Sequence, residues 1–118
     1  MIAISVAADL SSGHGWLTVP LVIDGTFRLT MLVSAFPRSA VSAETITNLP
    51  AYFEQRAPGR YLMRQATLGG ESVLDLVVRA SGQIGRLDAD GVLGQDFLRR
   101  FTDINLNVPS STLTFTGP

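Results

Sequence analysis

The chain has no cysteine, no lysine, one histidine and one tryptophan. Without cysteine, disulfides and thiolate metal sites are excluded, and the redox compartment leaves no mark on the sequence. One histidine argues against a zinc centre, because protein zinc sites draw on several nitrogen or sulfur ligands. All nine cations are arginine against ten acids, giving a net charge of −1. No block of like charge occurs, so neither a nucleic-acid nor an anionic-membrane footprint is present. No apolar run approaches the length of a transmembrane helix. The start, Met1-Ile-Ala-Ile-Ser-Val-Ala-Ala, is apolar but has no basic residue ahead of it and no run before a cleavage site. It does not read as a signal peptide, which leaves a cytoplasmic location as the default.

What is there describes one domain. At 118 residues a chain buries roughly two-thirds of its unfolded surface around a single core. Apolar residues make up 46% and charged residues 16%, with a mean hydropathy of +0.28. That is apolar for a small domain and leaves surface for a partner.

Residues 16–23 are β-branched and apolar and read as a strand, with Pro20 pointing to an edge position or a bulge. Asp24-Gly25 is a hairpin signal of the type that needs positive φ at both central positions. Thr26–Val33 alternates, placing Phe27, Leu29, Met31 and Val33 on one core-facing side. Ser42 reads as the N-cap of a short helix ending near Leu49 before Pro50, and 51–60 reads as loop around Pro58-Gly59. Tyr61–Leu68 and Ser72–Ala80 read as strands joined at Gly69-Gly70-Glu71, the second buried on both faces because Val73–Val78 is nearly continuous in apolar residues. A polar loop, Ser81–Asp90, leads to a second short helix over 94–101. A final hairpin has strands Asp103–Val108 and Thr112–Thr116. Mainly β structure with two short helices at corresponding places in the two halves implies an internal duplication.

Two segments carry a family resemblance. Residues 29–42 read Leu-Thr-Met-Leu-Val-Ser-Ala-Phe-Pro-Arg-Ser-Ala-Val-Ser, and 91–101 read Gly-Val-Leu-Gly-Gln-Asp-Phe-Leu-Arg-Arg-Phe. Together they resemble the two halves of a retropepsin-like (retroviral-type) aspartic protease domain. There an apolar strand runs into Asp-Thr/Ser-Gly, and an apolar-apolar-Gly triplet later opens a second helix. The resemblance spans about residues 16–116 of a single domain covering 1–118. It implies a small, closed, largely antiparallel β-barrel that pairs as a homodimer, each copy giving one aspartate to the active site. Where the family has its catalytic triplet, this chain has Ser34-Ala35-Phe36.

Aspartic proteases hold two carboxylates about 3 Å apart that share one proton, so one acts as base and the other as acid on a single water. Serine cannot hold that proton. Ala35 lacks the hydroxyl that ties the two active-site loops together in the family, and Phe36 replaces a glycine that lets the chain approach its substrate. The resemblance therefore implies a pseudoprotease: no catalytic residue, no cofactor, no metal, and a role in dimerisation or in binding a peptide or protein partner. The alternative is an aspartic endopeptidase using a non-standard or partner-supplied aspartate, with Asp88 and Asp90 the fallback residues. Those two also read as an Asx-type turn, since calcium needs six to eight oxygens and no third carboxylate follows at the expected spacing. A third class is a structural domain of a larger polypeptide.

Phe36, Arg38, Tyr52, Phe53 and Tyr61 are the candidate partner-binding residues. Arg38 stands beside the altered triplet, and the aromatics flank the Pro58-Gly59 loop, where the family places its flap. The plainer readings are a solvated arginine and aromatics packed in the core. Asp96 reads as a helix N-terminal charge and Trp16 as a cap on the core. His14, between two glycines, has nothing to orient it towards Ser34 as a base.

Overall fold

The computed structural model describes residues 2–9, 17–84 and 89–117. His14, Trp16 and Asp88 lie outside the described residues. The hairpin expected first is present: β2 (Thr18–Ile23) pairs antiparallel with β3 (Phe27–Val33). Asp24 and Gly25 both take positive φ, 55° and 64°, as its turn requires. Leu29 and Met31 are buried, but Phe27 is 38% exposed and packs on the Tyr52 ring with centroids 5.8 Å apart. β2 is not an edge strand. It lies between β3 and β7 (Ala66–Leu68), and Pro20 is accommodated because β7 pairs only with Leu21, Val22 and Ile23. The amide that Pro20 lacks is therefore not needed on that side.

β4 (Ala40–Ser42) leads directly into α1 (Ala43–Asn48), whose N-cap is Ser42 as the sequence implies. Its hydroxyl accepts a bond from the Thr45 amide at 3.1 Å. The segment expected to be loop is instead a 3-10 turn, Pro50–Tyr52, followed by a second hairpin. β5 (Phe53–Ala57) and β6 (Arg60–Met63) turn at Pro58-Gly59, with Gly59 at φ 73°. Its strand pattern was hidden because Glu54, Gln55 and Arg56 are all exposed, leaving no polar–apolar alternation to read.

Each of the two longer strand runs is broken by one non-glycine residue with positive φ, Gln65 and Asp75, both at 56°. The first divides β6 from β7. The second divides β8 (Glu71–Val73) from β9 (Val77–Ser81). Burial through Val73–Val78 is one-sided: Val73, Leu76 and Val78 are buried, while Leu74 and Val77 are exposed. The turn at Asp75 resets the side-chain alternation, so the apolar run does not enter a two-sided interior.

β10 (Gly91–Leu93) runs parallel to β3 on one side and antiparallel to β4 on the other, and β4 runs parallel to β9. The second half of the chain is thereby inserted between two strands of the first. The nine-stranded sheet has the order β5-β6-β9-β4-β10-β3-β2-β7-β8 and is a half-barrel. The closed antiparallel barrel of the sequence reading is corrected here: β5 and β8 end the sheet without pairing to each other, and two of its pairings are parallel. A separate sheet, β1 (Ile2–Ala7), β12 (Thr112–Gly117) and β11 (Asp103–Asn107), packs beside it. Phe97 of α2 (Gln95–Leu98), Phe101 and Phe115 meet in the core at centroid distances of 5.1–6.0 Å. A smaller cluster of Leu32, Ile84 and Val92 lies apart from the main core.

Candidate functional site

The loop from Ser34 to Ser39 joins β3 to β4 and is clamped from beneath by the start of α2. Ser34 donates its amide to the Leu93 carbonyl at 3.1 Å, continuing the parallel pairing of β3 with β10. The carbonyls of Phe36 and Pro37 accept the amides of Gln95 and Asp96 at 2.7 and 3.2 Å. The first amides of a helix have no partner within it, so this loop supplies acceptors that α2 needs. Ser39 is fully buried. The Asp96 carboxylate accepts from its amide (2.9 and 3.0 Å) and from its hydroxyl (2.7 Å), and Ser39 Oγ accepts the Gly94 amide at 3.0 Å. Asp96 also accepts the Phe97 amide at 2.8 Å. Gly94 must be glycine for steric reasons. A Cβ there would lie 2.6 Å from the Phe36 carbonyl oxygen and within 2.8 Å of the Arg38 backbone.

The outer side of the same loop is open. Ser34 Oγ accepts the Phe36 amide at 3.3 Å, a local turn bond. Ala35, Phe36, Pro37 and Arg38 are exposed, Phe36 by 51%. Phe36, Pro37 and Arg38 line a groove of about 770 Å³ together with Pro58 and Gly59 of the hairpin tip. Arg79, Ala80 and Ser81 of β9, with Ile84 and Val92, complete it.

Of the residues singled out from the sequence, Phe36 and Arg38 come together in this groove. Tyr52, Phe53 and Tyr61 do not line it. Phe53 is buried in the main core, and Tyr52 and Tyr61 pack half-buried against it. Tyr52 and Phe53 stand at the base of the β5–β6 hairpin, about 16 Å of strand from its tip. Tyr52 Oη donates to Asp24 Oδ2 at 2.8 Å. That bond, then burial, then the Asp24 charge, raise the phenol pKa above its ordinary value.

Asp90 Oδ2 accepts the Thr30 amide at 2.8 Å, and its own amide donates to the Thr30 carbonyl. Asp90 thus extends the β3–β10 pairing, about 13 Å of strand from Ser34. It opens onto a separate polar cleft of about 540 Å³, lined by Ser42, Glu44, Asn48 and Ser81 among others. Among the described residues no cluster of three or more His, Asp or Glu side chains could hold a metal ion. No described helix is long and apolar enough to cross a membrane.

Ser39, Gly94 and Arg79 were not singled out as site residues in the sequence. Ser39 and Gly94 sit in the two segments that carry the resemblance, so a signal for them existed. Arg79 had none, because its place depends on β9 pairing with β4 and β6.

Comparison with models of known protein families finds no match, and no curated protein matches in sequence. Among solved structures, the chain is similar to a retropepsin-like aspartic protease from Rickettsia conorii. The TM-score is 0.63 at 12% sequence identity, over 97% of this chain and 89% of that one. The fold is thus that of a retropepsin-like aspartic protease domain.

Proposed function

We propose that this chain is a retropepsin-type domain without peptidase activity that binds a peptide or protein partner and pairs with a second copy of itself. The observation that carries the reading is the Ser34-Ala35-Phe36 loop. It follows the apolar β3 strand, where active members of the fold present Asp-Thr/Ser-Gly, and it offers no carboxylate. A hydroxyl at Ser34 has no useful basicity near neutral pH, and it cannot share a proton as a carboxylate pair does. Two described aspartates near the signature segments, Asp90 and Asp96, favour the same reading. Asp96 is engaged by Ser39 and Phe97, and Asp90 is engaged by Thr30.

Binding depends on the walls of the groove rather than on an aspartate, so it can outlive catalysis. Phe36 presents an aromatic ring that is 51% exposed, and burying a phenylalanine contributes ~1.5–3 kcal/mol. A second copy covering Phe36 gives the homodimer its apolar centre.

The purified protein is expected to leave a diverse peptide library uncut from about pH 3 to 8, a span in which a carboxylate pair sharing one proton would be active. Cleavage that Asp90→Asn abolishes would support the competing peptidase reading instead. Activity that appears only on mixing with an active homologue would make this chain the regulatory half of a heterodimer. In a sedimentation dilution series the protein is expected to be dimeric at micromolar concentration, and a monomer throughout would remove the pairing.

A further inference from the structure

We propose that the groove beside Phe36 takes an extended acidic peptide, a deepening that rests on the interaction-module reading above. Two arginines line the groove, and a third lies opposite one of them on the adjacent strand. Arg38 and Arg79 line the groove, and Arg60 is the direct cross-strand partner of Arg79 in the β6–β9 pair, so the two share one sheet face. All three are exposed, and none has a carboxylate partner among the described residues.

Like charges placed directly opposite on a sheet repel each other. The acid of the same hairpin does not relieve them, because Glu54 is engaged by Arg56 at 2.9 Å and Arg64 at 2.7 Å. No described lining residue of the groove is acidic. A ligand bringing carboxylates would satisfy guanidinium groups that the fold holds side by side, and guanidinium–carboxylate geometry allows two parallel hydrogen bonds for each pair.

The rest of the groove sets the ligand class. Pro37, Pro58, Ile84 and Val92 give it apolar surface between the charges, which suits a peptide whose acidic residues alternate with apolar ones. A nucleic acid would need a broad cationic surface to neutralise successive phosphates, and this chain carries a net charge of −1.

The test is fluorescence anisotropy with labelled octapeptides in which glutamate alternates with leucine and alanine. A glutamine-for-glutamate counterpart and a single-stranded oligothymidine serve as comparison probes. The acidic peptide is expected to bind at least about tenfold tighter than the glutamine peptide and to weaken as salt rises, as screened ion pairs do. The double variant Arg38→Gln, Arg79→Gln is expected to erase that preference, while Arg56→Gln, outside the groove, leaves it intact. Equal affinity for the acidic and glutamine peptides would overturn the charge inference and leave peptide binding standing. An oligothymidine binding as tightly as the acidic peptide would overturn it in favour of a general anion site. Binding of no peptide at all would overturn this inference, and together with a monomer throughout the dilution series it would overturn the interaction-module reading as well.

Discussion

The 34–39 loop has two sides built on different terms. Its inner side is saturated: the Phe36 and Pro37 carbonyls cap α2, and Ser39, Asp96 and Gly94 form a closed set of hydrogen bonds. Its outer side carries an exposed phenylalanine and an arginine with no carboxylate partner among the described residues. The inner bonds hold β4, β10 and α2 together whatever the outer residues are. On the proposed reading, catalytic groups can be lost from such a loop without unfolding it, since the outer side chains take no part in those bonds.

Substitutions on the two sides should separate accordingly. The largest effect is expected at Gly94→Ala, where the new methyl meets backbone atoms at 2.6–2.8 Å that cannot swing away. A loss of about 3 kcal/mol in urea unfolding is expected, at the upper end for overpacking. A loss below about 1 kcal/mol would mean that the loop yields easily. Ser39→Ala leaves the buried Gly94 amide without its acceptor and should lose about 1–3 kcal/mol, the cost of an unmet buried donor.

On the outer side, Arg60→Gln relieves the opposition to Arg79 and is expected to stabilise the free protein by ~0.2–1 kcal/mol. Destabilisation there would show that the arginines are not in conflict. Phe36→Ala is expected to change monomer stability by less than about 0.5 kcal/mol, as exposed positions do, while weakening self-association. A Phe36→Ala protein that melts like the Ser39→Ala protein would erase the distinction between the two sides.

The smallest effect concerns Tyr52, remote from the loop. Its raised pKa means that the bond to Asp24 stabilises the protonated phenol. That stability is fully present below the unfolded pKa of about 10 and is lost as pH rises through the folded value. The stability gap between wild type and Tyr52→Phe should hold steady from about pH 7 to 9 and close above about pH 10. A gap unchanged into stronger base would dissociate the shift from folding.

What was legible in the sequence follows the same division. The β2–β3 hairpin, the Ser42 cap and the helix opened at Gly94 were legible because turn and cap chemistry is local. The β5–β6 hairpin was not, because its strands expose their polar residues and lose the alternation that marks a half-buried strand. The breaks at Gln65 and Asp75 were hidden because neither residue is a glycine, the usual sign of positive φ. Of the candidate groove, Phe36 and Arg38 were legible from their place in and just after the Ser34-Ala35-Phe36 segment. Arg60 and Arg79 were not, since their opposition arises only from the pairing of two strands about twenty residues apart.

The most direct test of the central claim is to install Asp-Thr-Gly at residues 34–36. Wild type and the triple variant Ser34→Asp, Ala35→Thr, Phe36→Gly would be assayed side by side on one peptide library across acidic and neutral pH. The account predicts that wild type leaves every peptide intact and that the triple variant cuts. Cleavage by wild type itself would contradict it.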